Sequence, residues 1–315
     1  MPRSGPKTPL RYPLFGNSGN SGNSGNVSKN GNSGNNAGGS DSLRLPEEGA
    51  PDSGGNNRAP DLPPLPMAVD FPEINTLSNE KIPWGPGVDT DADKRPVAPV
   101  QLQARYGEKY NCDFIGPAEP TVTLSFDQGY ETGYTPAVLD TLKEKNVQAL
   151  FFLTGHYVQS QPELVQRMID EGHILGNHTK NHLNFTKCTP EEAFEDIRRL
   201  HDKMREDYNY ELRIFRFPEG EFSERALALV QQTGYRTLFW SFAYVDWDPD
   251  NQPEPQAAFK KVTGQLHPGE IMLLHTVGKT NSLILGDLID AIRAEGYEVR
   301  PYDAIEAISF PHICR

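Results

Sequence analysis

Between Thr121 and Pro301 the spacing of apolar residues switches repeatedly between a strand-like and a helix-like pattern. Short runs rich in β-branched and aromatic residues cover Thr121–Phe126, Ala149–Thr154, His173–Asn177, Ile214–Phe217, Thr237–Ser241, Glu270–Thr276 and Tyr297–Pro301. Their length and make-up predict buried strands. Stretches at helical spacing lie between them: Leu139, Leu142 and Val147 after Pro136, and Leu164, Val165, Met168 and Ile169 after Pro162. Ala193, Phe194, Ile197 and Leu200 follow Thr189, Leu227, Leu229 and Val230 follow Ser223, and Leu285, Leu288, Ile289 and Ile292 form the last stripe. Thr189 and Ser223 are expected N-caps, with Glu192 at the capping-box position of the first. Alternating strands and helices predict an α/β fold, a distorted (β/α)7-8 barrel, closed or nearly closed, with parallel strands inside and helices outside. An open doubly wound sheet is the alternative, but no glycine-rich phosphate loop follows the first strand.

Outside that region the pattern fades. Residues 1–60 contain GNSGNSGNSGN at 16–26 and further Gly/Asn/Ser runs, with almost nothing apolar to bury. They are expected to form a disordered low-complexity tether. Residues 61–118 are proline-punctuated with isolated aromatics and are expected to wrap the barrel as an irregular segment. The catalytic domain is expected at 119–310. Asp89, Asp91 and Asp93 imitate the opening of a calcium loop, but Lys94 and Val100 stand where glycine and glutamate are required.

Composition narrows the functional classes. The chain of 315 residues has a net charge of -13, although residues 1–60 carry six Lys/Arg against four Asp/Glu. The acidic remainder is a poor partner for nucleic acid. Cys112, Cys188 and Cys314 are scattered, without a CxxC pair, and suggest neither a disulfide framework nor a zinc knuckle. No apolar run is long enough to span a membrane, and the first 30 residues show no apolar core of a signal peptide.

The chemistry collects at the ends of the expected strands, which in a parallel barrel share one mouth. Asp127 ends the first, just before Gly129. His178 and His182 follow the third, and on a helical turn their i, i+4 spacing would put both imidazoles on one face, able to chelate one metal. Arg216 lies in an otherwise apolar strand and needs a buried carboxylate, for which Asp127 is the candidate. Glu219 follows it in a turn. Asp246 and Trp247 come after the fifth strand, and His275 ends the sixth.

These stretches, TLSFDQGY, HTKNH, RFPEG, FWSFAYVDW and LLH, resemble in order and spacing the five motifs of the polysaccharide deacetylase family, the NodB homology domain of carbohydrate esterase family 4. The resemblance covers about Pro117 to Ser309. FDQGYETGYTP, FFLTGHYV, RMIDEGHILGNH and LLHTV are similar to the delta-lactam branch acting on N-acetylmuramic acid of peptidoglycan, and IPWGPG extends the match upstream to about Leu77. The resemblance implies metal-dependent de-N-acetylation of a cell-wall glycan, with Asp127 as general base and Arg216 orienting it. His178 and His182 would hold a divalent ion, zinc by preference. His275 would be the general acid tuned by Asp246, and Trp247 a wall of the substrate groove.

Two positions depart from the family pattern. Gln128 stands where a metal-binding aspartate is usual, and Glu219 where the family has tyrosine or, in this branch, a basic residue. A chitin or other N-acetylglucosamine oligomer deacetylase is the alternative enzyme, and a sugar-binding pseudoenzyme the alternative from another class. Asn177-His178-Thr179 and Asn184-Phe185-Thr186 are N-glycosylation sequons at the expected site, which favours a bacterial, extracellular or cell-envelope setting. The expected state is a monomer.

Overall fold

Strand signals become strands wherever two apolar faces must both be covered, which in this chain means a parallel sheet under helices. A computed structural model describes residues 63–302. The tether expected at 1–60 and Cys314 lie outside the described residues. In chain order the elements are α1 (Phe71–Ile74), α2 (Val97–Tyr110), β1 (Cys112–Asp113), β2 (Thr121–Gln128), α3 (Thr135–Glu144), β3 (Leu150–Leu153), α4 (Gly155–Ser160), α5 (Pro162–Asp170) and β4 (Ile174–Asn177). There follow α6 (Pro190–Tyr208), β5 (Ile214–Phe215), a 3-10 turn at Pro218–Gly220, α7 (Glu224–Gln232), β6 (Arg236–Leu238), β7 (Phe242–Ala243), α8 (Pro255–Thr263), β8 (Glu270–His275), α9 (Lys279–Ala294) and β9 (Glu298–Val299).

Neighbouring strands run β1-β6-β5-β4-β3-β2-β8-β7, with β9 added beside the start of β2, and the pairs within this sheet are all parallel. The sheet curls, and Phe239–Ser241 bridges its two edges: the Phe239 amide donates to Asp113 O at 2.8 Å and the Ser241 amide to Ile271 O at 2.9 Å. The strands' C-terminal ends therefore face one mouth.

Pleating divides the core in two. Outward residues such as Val122, Leu124, Phe126, Phe151 and Leu153 pack under the helices. Inward residues Leu150, Phe152, Ile214, Leu238 and Ile271 fill the bore as a separate apolar plug. Helix entry follows the sequence signals. Thr189 Oγ1 accepts from the Glu192 amide at 3.2 Å while Glu192 returns a bond to the Thr189 amide at 2.9 Å. Ser223 Oγ accepts from the Ala226 amide at 3.1 Å.

One segment differs from expectation. Within 61–118, Val97–Tyr110 is a 14-residue helix and Cys112–Asp113 joins the sheet beside β6. Pro96 and Pro99 suggest a break, but they fall at the N-cap and first turn, where a missing N–H costs nothing. Three further elements, α4, α8 and β7, fall outside the expected set, although Thr154 caps α4 and Pro255 opens α8.

Gly176 in β4 packs directly against the apolar plug of the bore. A Cβ there would lie 2.4 Å from Phe152 Cδ1 and 3.1 Å from Ile214 Cγ1. Gly176→Ala should therefore destabilise the fold by about 1–3 kcal/mol through overpacking, measured by urea denaturation. An unchanged midpoint would mean the Phe152 ring has room to turn.

Candidate active site

Alternation along β2 sends Ser125 and Asp127 inward, above the apolar plug. Arg216, just past β5, reaches across to both and is fully buried. Its Nη1 donates to Asp127 Oδ1 at 2.8 Å and its Nη2 to Ser125 Oγ at 2.9 Å. Nε donates to Leu238 O at 3.0 Å and Nη2 also to Phe239 O at 3.1 Å. The guanidinium lies over the Phe152 ring, 4.0 Å from its centroid, with Trp240 on another side. Burial alone would push the Asp127 carboxyl up. Arg216, together with His178 and His275, outweighs that and holds it below the usual carboxylate range.

His178 and His182 meet edge to face with ring centroids 4.9 Å apart. They are brought together by a loop rather than by a helical turn. Thr179 and His182 both take positive φ, 67° and 55°, which breaks helical geometry. The loop is pinned from outside: the Thr179 amide donates to Asn177 Oδ1 at 2.8 Å, and the Asn181 amide reaches the buried Asp196 carboxylate of α6 at 3.1 Å. The Gly155 amide at the start of α4 donates to Thr179 O at 3.1 Å. His178 Nδ1 bonds to Arg216 O at 2.9 Å, leaving Nε2 3.6 Å from Asp127 Oδ2. Burial lowers the pKa of both rings, that of His182 to about 4, so both are neutral at physiological pH.

On β8, His275 is the register partner of Asp127. Its Nδ1 bonds to Asp246 Oδ1 at 2.8 Å, and its amide donates to Asp246 Oδ2 at 2.8 Å. Asn281 Nδ2 holds the same carboxylate at 2.6 Å, and Tyr244 in turn bonds Asn281. Burial opposes charge on His275, but the attraction of Asp246 and its hydrogen bond outweigh it and raise the imidazole pKa. Trp247, half exposed, stands with its ring 6.2 Å from that of His275. Glu219 is exposed in the 3-10 turn at φ 58°, and its Oε2 accepts from Asn184 Nδ2 at 3.1 Å.

Asp127, Arg216, His178, His182, His275 and Asp246 thus converge on one mouth. Ser125 and Asn281 complete the set without having been singled out in the sequence. Ser125 was in principle readable, since it lies two residues before Asp127 on the same face of a strand. Gln128 takes the opposite face of β2: its Oε1 accepts from Thr276 Oγ1 at 2.9 Å, and Thr276 pairs with Thr135 of α3.

Among the described residues no group of three His, Cys, Asp or Glu has metal-ligand spacing. The donor chemistry nevertheless fits a divalent ion. Two neutral imidazoles lie together beside an ionised carboxylate, and a backbone carbonyl fixes one ring through its second nitrogen, as is usual for metal-binding histidines.

A family description, polysaccharide deacetylase, matches residues 115–238. The peptidoglycan-N-acetylmuramic acid deacetylase PdaA of Bacillus subtilis is 39% identical over 233 residues, 73% of this chain and 88% of that protein. The chain belongs to the polysaccharide deacetylase family. The solved structure of Bacillus subtilis PdaA, a family 4 carbohydrate esterase, superposes with a TM-score of 0.68 over 73% of this chain and 98% of that one, at 39% identity. A peptidoglycan-N-acetylglucosamine deacetylase of Bacillus cereus is 33% identical over 64% of this chain and 72% of that protein. The fold is accordingly the barrel of this family, and the chain is a polysaccharide N-deacetylase, a hydrolase of carbon–nitrogen bonds other than peptide bonds. No helix among the described residues is long and apolar enough to cross a membrane.

Removing one partner of the buried Arg216–Asp127 pair should be costly, because the other charge is stranded. Arg216→Met should lose about 3–5 kcal/mol in denaturant unfolding, and adding Asp127→Leu should recover most of it. If the double variant stayed as unstable as the single one, packing of the guanidinium, and not its charge, would be responsible.

Proposed function

We propose that this deacetylase removes the acetyl group from N-acetylmuramic acid of peptidoglycan, releasing acetate, with a divalent metal ion held by His178 and His182. The observation that carries the reaction reading is the pairing of two oppositely tuned groups on adjacent strands. Asp127 is held below the usual carboxylate range and His275 above the usual imidazole range, at register positions facing one mouth.

An acetamide resists hydrolysis because its carbonyl is resonance-stabilised and its nitrogen leaves only when protonated. A bound divalent ion, for which zinc suits the two nitrogens, would supply Lewis acidity at the carbonyl. The chain's own groups supply the proton transfers. Asp127, oriented by Arg216, takes a proton from the attacking water. The water oxygen bonds to the acetyl carbon, and the Glu219 amide is the candidate donor to the developing oxyanion. His275 then gives its proton to nitrogen as the C–N bond breaks, leaving acetate and a free amine. Asp246, fixed by Asn281, holds His275 as imidazolium until that moment. The Trp247 ring would form one wall of the sugar site.

The proposed setting is the bacterial cell envelope or its exterior, where the substrate is found, and the acting species is a monomer. A glucosamine residue as substrate is the second reading. It is favoured by the exposed Glu219 carboxylate beside His182, which would repel a free lactyl acid of muramate.

Mass spectrometry of peptidoglycan and chitin oligomers incubated with the protein and zinc tests both readings. Loss of one acetyl located on muramic acid is the expected result, and loss confined to glucosamine would replace the first reading with the second. Asp127→Asn should lower kcat by roughly 10²–10⁴, measured on the folded fraction because the change also leaves the buried Arg216 charge without its carboxylate. In the rate–pH profile the alkaline limb should follow deprotonation of His275, whose pKa is raised by Asp246. Asp246→Asn removes that stabilisation and should move the limb to lower pH. A limb that stays in place would assign the titration to another group and remove His275 from the acid's role.

A further inference from the structure

Upstream of the matched family region, Ser78–Trp84 runs along two loops that carry the site. On the first, Asn79 Nδ2 donates to Thr186 O at 3.0 Å, four residues past His182. On the second, Asn79 Oδ1 accepts from Ser223 Oγ at 2.9 Å, so one side chain bridges the histidine loop and the chain after Glu219. The Arg225 amide donates to Ser78 O at 3.0 Å and the Ile82 amide to Phe222 O at 2.9 Å. Lys81 pairs with Glu221 at 2.7 Å. Trp84 ends the segment by donating its indole N–H to Gly220 O at 2.6 Å, within the turn that carries Glu219. Its ring packs against Trp240, Phe239 and Phe114 at centroid distances of 4.8, 5.1 and 5.4 Å.

The turn at Pro218–Gly220 needs such support. Glu219 holds φ 58°, a conformation costly for a side chain, and Gly220 holds φ 65° with the edge of Trp240 where a Cβ would be. Neither the 3-10 turn nor the histidine loop belongs to a long element that could fix it locally. We propose that Ser78–Trp84 is a positioning strap, with Asn79 and Trp84 setting the separation between the His178–His182 loop and the Glu219 turn. It acts on the reaction through those loops, without touching substrate. Trp84 faces the turn and Asn79 ties the turn to the histidines, so the two act on one geometry. The consequence for turnover rests on the deacetylase reading above, whereas the consequence for loop order does not.

The test uses Trp84→Phe, which keeps an aromatic ring of smaller size and removes the donor, and Asn79→Ala, a change at a partly exposed residue outside the apolar core. Hydrogen–deuterium exchange should rise in 217–222 for both variants, and in 179–188 for Asn79→Ala. On N-acetylated fragments kcat should fall about 10- to 100-fold with KM nearly unchanged, as expected when reacting groups are misplaced without loss of binding. The double variant should cost less than the product of the singles, because both changes act on the same spacing. Unchanged exchange in both loops would overturn the strap, as would a kcat within about twofold of the parent alongside a lowered Tm. If the parent protein itself releases no acetate, the deacetylase reading fails, and exchange alone decides the strap.

Discussion

A guanidinium with no access to water must find a partner for nearly every N–H, and that requirement organises the mouth of this barrel. Arg216 makes four hydrogen bonds, to Asp127 and Ser125 of β2 and to the carbonyls of Leu238 and Phe239 at the end of β6. Those bonds can form only if β2, β5 and β6 end at the same level around the bore. The pair is expensive to bury, and it gives back a carboxylate that stays ionised in an apolar surrounding. The Arg216 carbonyl also fixes the His178 ring, so one residue orients the carboxylate with its side chain and the imidazole with its backbone.

The second half of the site is built on the opposite principle. The His275 pKa is raised because Asp246 is held beside it, and Asp246 is held in place because Asn281 and the His275 amide occupy its other oxygen. The register of β2 with β8 brings the two halves side by side, close enough for Asp127 and His275 to act on each other's charge. Opposite tuning of two neighbouring titratable groups thus follows from two separate hydrogen-bond systems, each anchored in a different part of the chain.

Much of this was legible in the sequence, for identifiable reasons. All seven runs read as strands contain strands, since burial on both faces imposes a dense apolar signature that polar loops cannot imitate. Thr189 and Ser223 were readable because a cap is a local interaction. The histidine loop was read as helical since spacing alone carries no sign of φ, and the tertiary contacts of Asp196 and Gly155 decide it. Val97–Tyr110 was hidden by prolines that prove harmless at a helix start. Asn281 could not be found, because its importance arises from contacts with Asp246 and His275 that nothing local encodes. Trp84 was visible as an aromatic in a proline-rich stretch and as part of the IPWGPG element, but its contacts with the Glu219 turn were not.

The apolar plug in the bore has a consequence for solvent. Leu150, Phe152, Ile214, Leu238 and Ile271 fill the bore below Asp127 with apolar side chains, which keeps water off that side among the described residues. A glycan laid across the mouth therefore serves as the lid, and the local dielectric falls as the polymer settles. Charge interactions in the mouth would then strengthen as the glycan displaces water.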